Sequence, residues 1–238
     1  MKVAVVTGSA KGLGRAIALT LADEGYTLVI HYKSSKEEAQ KVLDLISKKS
    51  PKSIVVCGDL RREDEVSKIF SEVLKKLGRV DLLVNNVGDF LYKKFSETTT
   101  SEFRNLIESN LYSTLYVTRA VLPVMRKQKG GNVINLGAVG AERIQLTQKS
   151  AAYFLAKTGV YTLTKVMAHE EAKSGIRINM ISPASLETDI FKPDDFPMGR
   201  CVTYEDVVKA LKFLISPDAT YINGANIEVA GGFIPGMS

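Results

Sequence analysis

Tyr153 and Lys157 stand four residues apart in the stretch Tyr153-Phe154-Leu155-Ala156-Lys157. On a helix that spacing projects both side chains from one face. A phenol ordinarily titrates near ~10 and exchanges its proton poorly at neutral pH. An ammonium group beside it favours the phenolate and lowers that value. A tyrosine tuned in this way can pass a proton to or from a reacting oxygen. Many helices carry the same spacing, so the surrounding elements decide whether it is a site.

A second stretch suits ligand binding: Thr7-Gly8-Ser9-Ala10-Lys11-Gly12-Leu13-Gly14. It follows an apolar run, Val3–Val6, and precedes a helical pattern of Leu13, Ala16, Ile17 and Leu21 that ends near Gly25. Between a strand and a helix, glycines allow a tight turn and close backbone approach. The free N–H groups and partial positive charge of the helix N-terminus suit a pyrophosphate.

The elements that must position these residues alternate along the chain. Strands are expected at Val3–Val6, Leu28–Ile30, Ser53–Cys57, Val80–Val84, Asn132–Leu136, Ile176–Ile181 and Asn226–Ala230. Helices are expected at Ser35–Lys48, Glu63–Lys76, Ala151–Lys173 and Tyr204–Ile215, with one long helix or two abutting helices at Ser101–Met125. The strands are apolar runs, as in a parallel sheet covered on both faces. The expected fold is therefore α/β, a single Rossmann-like doubly wound domain over residues 1–238, with about seven parallel strands.

Composition narrows the function. The 238 residues are 45% hydrophobic and 24% charged, which suits a large core. The net charge of +6 is spread without a long basic run, so a solvated surface is expected rather than a nucleic-acid interface. Cys57 and Cys201 lack metal-ligand spacing, and with only His31 and His169 no metal site is expected. No stretch reaches the length of a membrane span, and a cytoplasmic enzyme is the expectation.

Thr7-Gly8-xxx-Gly12-x-Gly14 resembles the cofactor loop of the short-chain dehydrogenase/reductases. Further matches run along nearly the whole chain. Asn85-Asn86-Val87-Gly88 is similar to that family's Asn-Asn-Ala-Gly motif, and Tyr153-xxx-Lys157 to its Tyr-xxx-Lys. Asn110 falls where the family keeps an asparagine that organises a proton-relay water. Asn179 and Pro183 match the stretch after the sixth strand, with Ala184 for the usual glycine. Asn223-Gly224 and Gly231-Gly232 resemble the closing segment.

The resemblance implies a nicotinamide cofactor held by Gly8, Ser9, Lys11, Gly12, Leu13, Gly14, Asn86, Val87, Gly88 and Pro183. It also implies that Asp59-Leu60 meets the adenine and Thr188 the nicotinamide amide. A helix N-cap is the plainer role for Asp59. The second strand ends His31-Tyr32-Lys33-Ser34-Ser35, without the acid that would accept a ribose 2′-OH. Tyr32, Lys33, Ser34 and Lys11 suit a 2′-phosphate, so NADP(H) is expected over NAD(H).

By the same resemblance hydride passes between nicotinamide and a carbonyl carbon. Tyr153 is the acid/base, Lys157 lowers its pKa and bonds the nicotinamide ribose, and Asn110 supports the relay. The family's usual serine, which bonds the substrate oxygen, falls at Ala138. A methyl group cannot donate, and one such donor is commonly worth roughly 10²–10³ in rate. Ser150, Thr147 or Gln148 could substitute, though an ordinary polar loop is preferred for them. Alternatively the substrate does not need the serine, as in pteridine-reducing members, or the protein is a weakly active or non-catalytic NADP(H)-binding subunit.

Residues 185–200 match the substrate lid, where Phe191, Phe196 and Met198 could line an apolar pocket or pack on the core. Arg126-Lys127-Gln128-Lys129 is either a solvated helix end or a dock for an acidic acyl carrier protein. The overall resemblance is strongest to 3-oxoacyl-(acyl-carrier-protein) reductases. It implies a homotetramer acting on a small-molecule or acyl-thioester substrate, built partly on the helices of Asn110 and Tyr153.

Overall fold

The computed structural model describes residues 1–143, 149–186 and 192–235. Seven strands form one parallel sheet: β1 (Lys2–Val6), β2 (Tyr26–Tyr32), β3 (Ile54–Cys57), β4 (Leu82–Asn85), β5 (Gly131–Leu136), β6 (Ile176–Pro183) and β7 (Asn226–Val229). Their order across the sheet is β3-β2-β1-β4-β5-β6-β7, and every pairing is parallel. The order in which strands are added reverses between β1 and β4, and the crevice beyond their carboxyl ends is where such sheets bind ligands. Thr7-Gly8 and Asn86–Gly88 both emerge there.

The alternation of side chains along each strand builds two cores. Ala4, Val6, Leu28, Ile30, Ile134 and Ile181 meet α1 (Gly12–Asp23), α2 (Lys36–Ile46) and α7 (Tyr204–Ile215) on one face. Val3, Val5, Val29, Val133 and Ile178 meet α3 (Glu63–Leu77), α5 (Ser113–Gln128) and α6 (Ala151–Glu171) on the other. Strand runs that are apolar on both faces thus become the doubly covered sheet.

The region expected as one or two helices resolves into α4 (Thr100–Ile107), a π-helical turn at Glu108–Tyr112, and α5. A capping box of Thr99 and Glu102 starts α4. Asn110 causes the widened turn. Its Nδ2 donates to Leu106 O at 3.0 Å, taking the carbonyl four residues back, and to Asp89 O at 2.9 Å. Ser113 and Thr114 hydroxyls satisfy Ser109 O and Asn110 O. Side chains therefore fill the bonds that an ordinary helix would supply.

Candidate active site

The glycine loop is held from three sides. Thr7 Oγ1 accepts the N–H groups of Asn86 and Val87 at 2.8 and 3.1 Å. Asn86 Nδ2 returns a bond to Thr7 O at 2.9 Å. Ser9 is fully buried, and its hydroxyl accepts His31 N–H at 3.0 Å. Ser9 therefore anchors the loop to β2, and its side chain does not face the crevice. At Gly14 a Cβ would lie 2.4 Å from Gly8 O and 2.6 Å from Asn86 Nδ2, so only glycine fits without displacing backbone. The first turn of α1, at Gly12, Leu13 and Gly14, opens at the carboxyl ends of β1 and β4. This cradle fits a pyrophosphate.

The two asparagines at the end of β4 divide their work. Asn85 Nδ2 bonds Thr118 Oγ1 at 3.0 Å and Asn135 Oδ1 at 2.9 Å, and Asn135 Nδ2 bonds Thr164 Oγ1 at 2.8 Å. This buried ladder ties β4, β5, α5 and α6 together behind the site. The contribution of Asn135, Thr118 and Thr164 is invisible in spacing, because partners 29 to 50 residues apart define it.

Tyr153 and Lys157 share the first turns of α6. The Lys157 ammonium is buried, donates to Leu136 O at 2.7 Å and lies 5.6 Å from the centre of the Tyr153 ring. Burial pushes Lys157 down to about 8. Tyr153 is half-buried by its whole surface, but its phenol is enclosed, and burial drives it well above the ordinary range. This corrects the expectation of a lowered phenol. Nζ is turned to a carbonyl, while Phe90 and Phe154 stand edge-on to the Tyr153 ring at 4.9 and 5.5 Å, so desolvation outweighs the ammonium. Spacing did not reveal Phe90; its place two residues after the Asn85–Gly88 motif was the available signal.

Asn110 completes the cluster. Its Oδ1 is buried without a hydrogen-bond partner. A Cβ on Gly88 would lie 2.2 Å from that oxygen and 3.5 Å from Lys157 Nζ. Asn110, Gly88 and Lys157 thus meet at one point, with an acceptor left open, and Lys157 links that point to the Tyr153 ring.

Other expectations resolve differently. Asp59 is not a helix N-cap, since α3 begins at Glu63 after Arg62. Its carboxylate takes Arg61 Nε at 2.9 Å and Lys33 Nζ at 2.9 Å, and Arg61 holds it well below the usual range. Leu60 is buried in the core. Tyr32, Lys33 and Ser34 line the end of β2, but Lys33 faces Asp59, and Lys11 faces Glu38 at 3.4 Å. A 2′-phosphate at this place would share both cations with carboxylates.

Ala138 is buried beside the site and supplies no donor. Ser150 cannot replace it, because its hydroxyl donates to Leu91 O at 2.9 Å. Phe196 is a correction: it is 3% exposed and packs on Phe233 at 5.2 Å, so it belongs to the core and not to a substrate pocket. Met198 is 70% exposed. Thr147, Gln148, Thr188 and Phe191 lie outside the described residues. Pro183 ends β6 and accepts Val139 N–H at 3.1 Å, which seats the strand beside the Ala138 loop. In the basic stretch Arg126 pairs with Glu171 and Gln128 bonds Val80, leaving Lys127 and Lys129 as its exposed ammonium groups. No helix among the described residues is long and apolar enough to cross a membrane.

A family model described as enoyl-(acyl carrier protein) reductase matches residues 8–234. A putative oxidoreductase of Bacillus subtilis, YtkK, is 31% identical over 245 residues, covering 98% of this chain and 96% of that protein. The 3-oxoacyl-(acyl-carrier-protein) reductase FabG of Staphylococcus epidermidis is 34% identical over 248 residues, covering 97% of this chain and 98% of that protein. The crystal structure of acetoin dehydrogenase YohF from Salmonella typhimurium superposes with a TM-score of 0.88 at 28% identity, covering 100% of this chain and 98% of that one.

Proposed function

The chain belongs to the short-chain dehydrogenase/reductase family of oxidoreductases, and from that premise we propose that it reduces a carbonyl with NADP(H), that of a 3-oxoacyl thioester. The observation carrying the proposal is the meeting of Lys157, Asn110 and Gly88 beside the glycine cradle, with Lys157 facing the Tyr153 ring. When bound, the cofactor supplies the hydride. Gly8, Gly12, Leu13 and Gly14 would hold its pyrophosphate, and Asn86, Val87 and Gly88 would flank it. Lys11, Tyr32, Lys33 and Ser34 would meet a 2′-phosphate, and the main chain at Asp59-Leu60 the adenine. Lys157 has three N–H bonds and spends one on Leu136 O, so two remain for the ribose and the proton relay. The open Oδ1 of Asn110 offers that relay an acceptor. A phenol held neutral by burial is available as the acid for a developing alkoxide.

Similarity to an acyl-carrier-protein reductase supports the thioester substrate. Exposed Lys127 and Lys129 support an acidic carrier as partner. Exposed Tyr112, Leu155 and Val166, on the π-turn and on α6, support the homotetramer. A cytoplasmic location accords with both. A second reading, a pteridine or other small-carbonyl reductase, is favoured by the ring of Phe90 against Tyr153 and by Ala138.

The test is NADPH oxidation with acyl thioesters, dihydropteridines, quinones and small ketones. Activity that is saturable by a thioester and abolished in Tyr153→Phe is expected. Saturation by a pteridine alone would move the assignment to the second reading. No oxidation with any of them would make the chain a binding subunit. A strong preference for NADH would overturn the cofactor choice.

A further inference from the structure

Resting on the reading that residues 7–14 cradle the cofactor's pyrophosphate, we propose that His31 is a positioning residue for that loop, acting through its neutral tautomer with the proton on Nε2. His31 lies near the end of β2 and is 3% exposed. Gly8 N is 3.0 Å from its Nδ1. An amide N–H only donates, so Nδ1 must be the bare nitrogen. Nε2 is 3.0 Å from Gly58 O, a group that only accepts, so Nε2 carries the hydrogen. The two partners together leave one tautomer.

The ring spans the start of the glycine loop and the turn after β3. The main chains are joined as well: Ser9 N–H donates to His31 O at 2.9 Å, and His31 N–H to Ser9 Oγ at 3.0 Å. Gly8 adopts φ +63°. Its N–H is fixed by His31, and its carbonyl faces Asn86 Nδ2 at 3.4 Å and closes on Gly14. The tilt of this peptide therefore depends on an acceptor at Nδ1. Without one, the Gly8 N–H is an unpaired donor behind the loop, and the loop can relieve it only by turning.

The charges around the ring leave it neutral. Burial pushes His31 down to about 4, against the bond to Gly58 and the charge of Asp59, which pull the other way. Asp59 is already committed to Arg61 and Lys33. Glu65 on α3 accepts Asp59 N–H at 2.7 Å. Lys11 in the loop is paired with Glu38 on α2. Cys57 on β3 and Tyr32 on β2 are engaged with Lys33 O and with each other.

Three substitutions separate the two ring bonds. His31→Asn places an amide oxygen near the Nδ1 position and keeps an acceptor for Gly8. His31→Gln reaches Gly58 O but offers Gly8 no acceptor at that position. His31→Phe keeps the ring and loses both. Dissociation constants for NADPH and NADH, from cofactor fluorescence, are compared with melting temperature and with kcat at saturating cofactor. The expectation for Phe and Gln is a rise of about tenfold in dissociation constant, the effect of one lost hydrogen bond, with kcat nearly unchanged. Asn is expected to stay within about threefold of wild type. Imidazole ¹⁵N shifts, assigned with His169→Gln, should show a bare Nδ1 at neutral pH. The inference is overturned if Phe binds as wild type does, if affinity follows melting temperature across all three variants, or if Nδ1 carries the proton. Wild-type protein that binds neither cofactor overturns the cofactor reading, and this inference with it. Wild-type binding with an indifferent His31→Phe overturns this inference alone.

Discussion

Gly88→Ala probes the meeting point of the site with a single methyl group. Its Cβ would lie 2.2 Å from Asn110 Oδ1, 3.0 Å from Asn110 Cγ and 3.5 Å from Lys157 Nζ. The last is an ordinary contact and the first is not. Gly88 does not have a positive φ, so the backbone itself accepts alanine. The cost therefore falls on Asn110. Its Nδ2 is pinned to Leu106 O and Asp89 O, and moving Oδ1 away breaks one or both bonds at about 1 kcal/mol each. Overpacking adds about 1–3 kcal/mol, for a total of about 2–5 kcal/mol. In a domain of this size that lowers the melting temperature by roughly 4–20 °C. Displacing Asn110 by about 1 Å should also slow turnover by about 10²-fold. Denaturant unfolding of Gly88→Ala, Asn110→Ala and the double variant isolates the cause. With Asn110 truncated, Gly88→Ala should be neutral or stabilising by up to ~1 kcal/mol, because only chain entropy then remains. The expected coupling is about 2 kcal/mol or more. Equal costs in both backgrounds would falsify the assignment of the clash to Asn110.

Three further expectations use other parts of the site. Lys157 titrates at about 8, so its ammonium is present below that pH and lost above it; NADPH-dependent reduction should hold to neutral pH and fall as pH rises through about 8, whereas Lys157→Met should be slow and flat, and a wild-type profile level into the alkaline range refutes this. Ala138→Ser should raise ketone reduction, by up to about 10²-fold if the hydroxyl reaches the substrate oxygen; no change, or a loss, in steady-state rates would mean that a serine was never the relevant absence. His31 is lowered by burial from 6.5 to about 4, so the unfolded chain takes up its proton first as pH falls. That contribution is intact above about 6.5 and is lost on acidification towards about 4, amounting to about 3 kcal/mol in chemical denaturation. His31→Asn should lack this component, and an identical acid dependence in the two proteins would exclude it.

The sheet was legible because its strands are apolar on both faces and glycine punctuates the turns. The crevice was legible because Gly8, Gly14 and Asn86 sit at the ends of adjacent strands, and motif spacing records that adjacency. What spacing does not record is which partner each polar atom finds. Asn110 was visible as a position, but the π-turn it creates depends on Leu106 O and Asp89 O accepting the same amide. Phe196 carried the composition of a pocket wall, yet the ring of Phe233 draws it into the core. Ser150 carried a hydroxyl in the right stretch, yet Leu91 O consumes it.

The phenol shows the same limit in energetic form. Proximity of Tyr153 and Lys157 argues for a lowered pKa, and helical spacing reveals proximity. Enclosure argues for a raised one, and it comes from Phe90, some 60 residues away in sequence, and from a carbonyl that turns the ammonium aside. The two effects oppose each other, and in this chain enclosure wins. A phenol that keeps its proton is an acid at rest. It can donate as a carbonyl oxygen gains charge, but to act as a base towards an alcohol it must first give up a proton against burial. Any lowering of the phenol must therefore come from charge brought by what binds in the crevice.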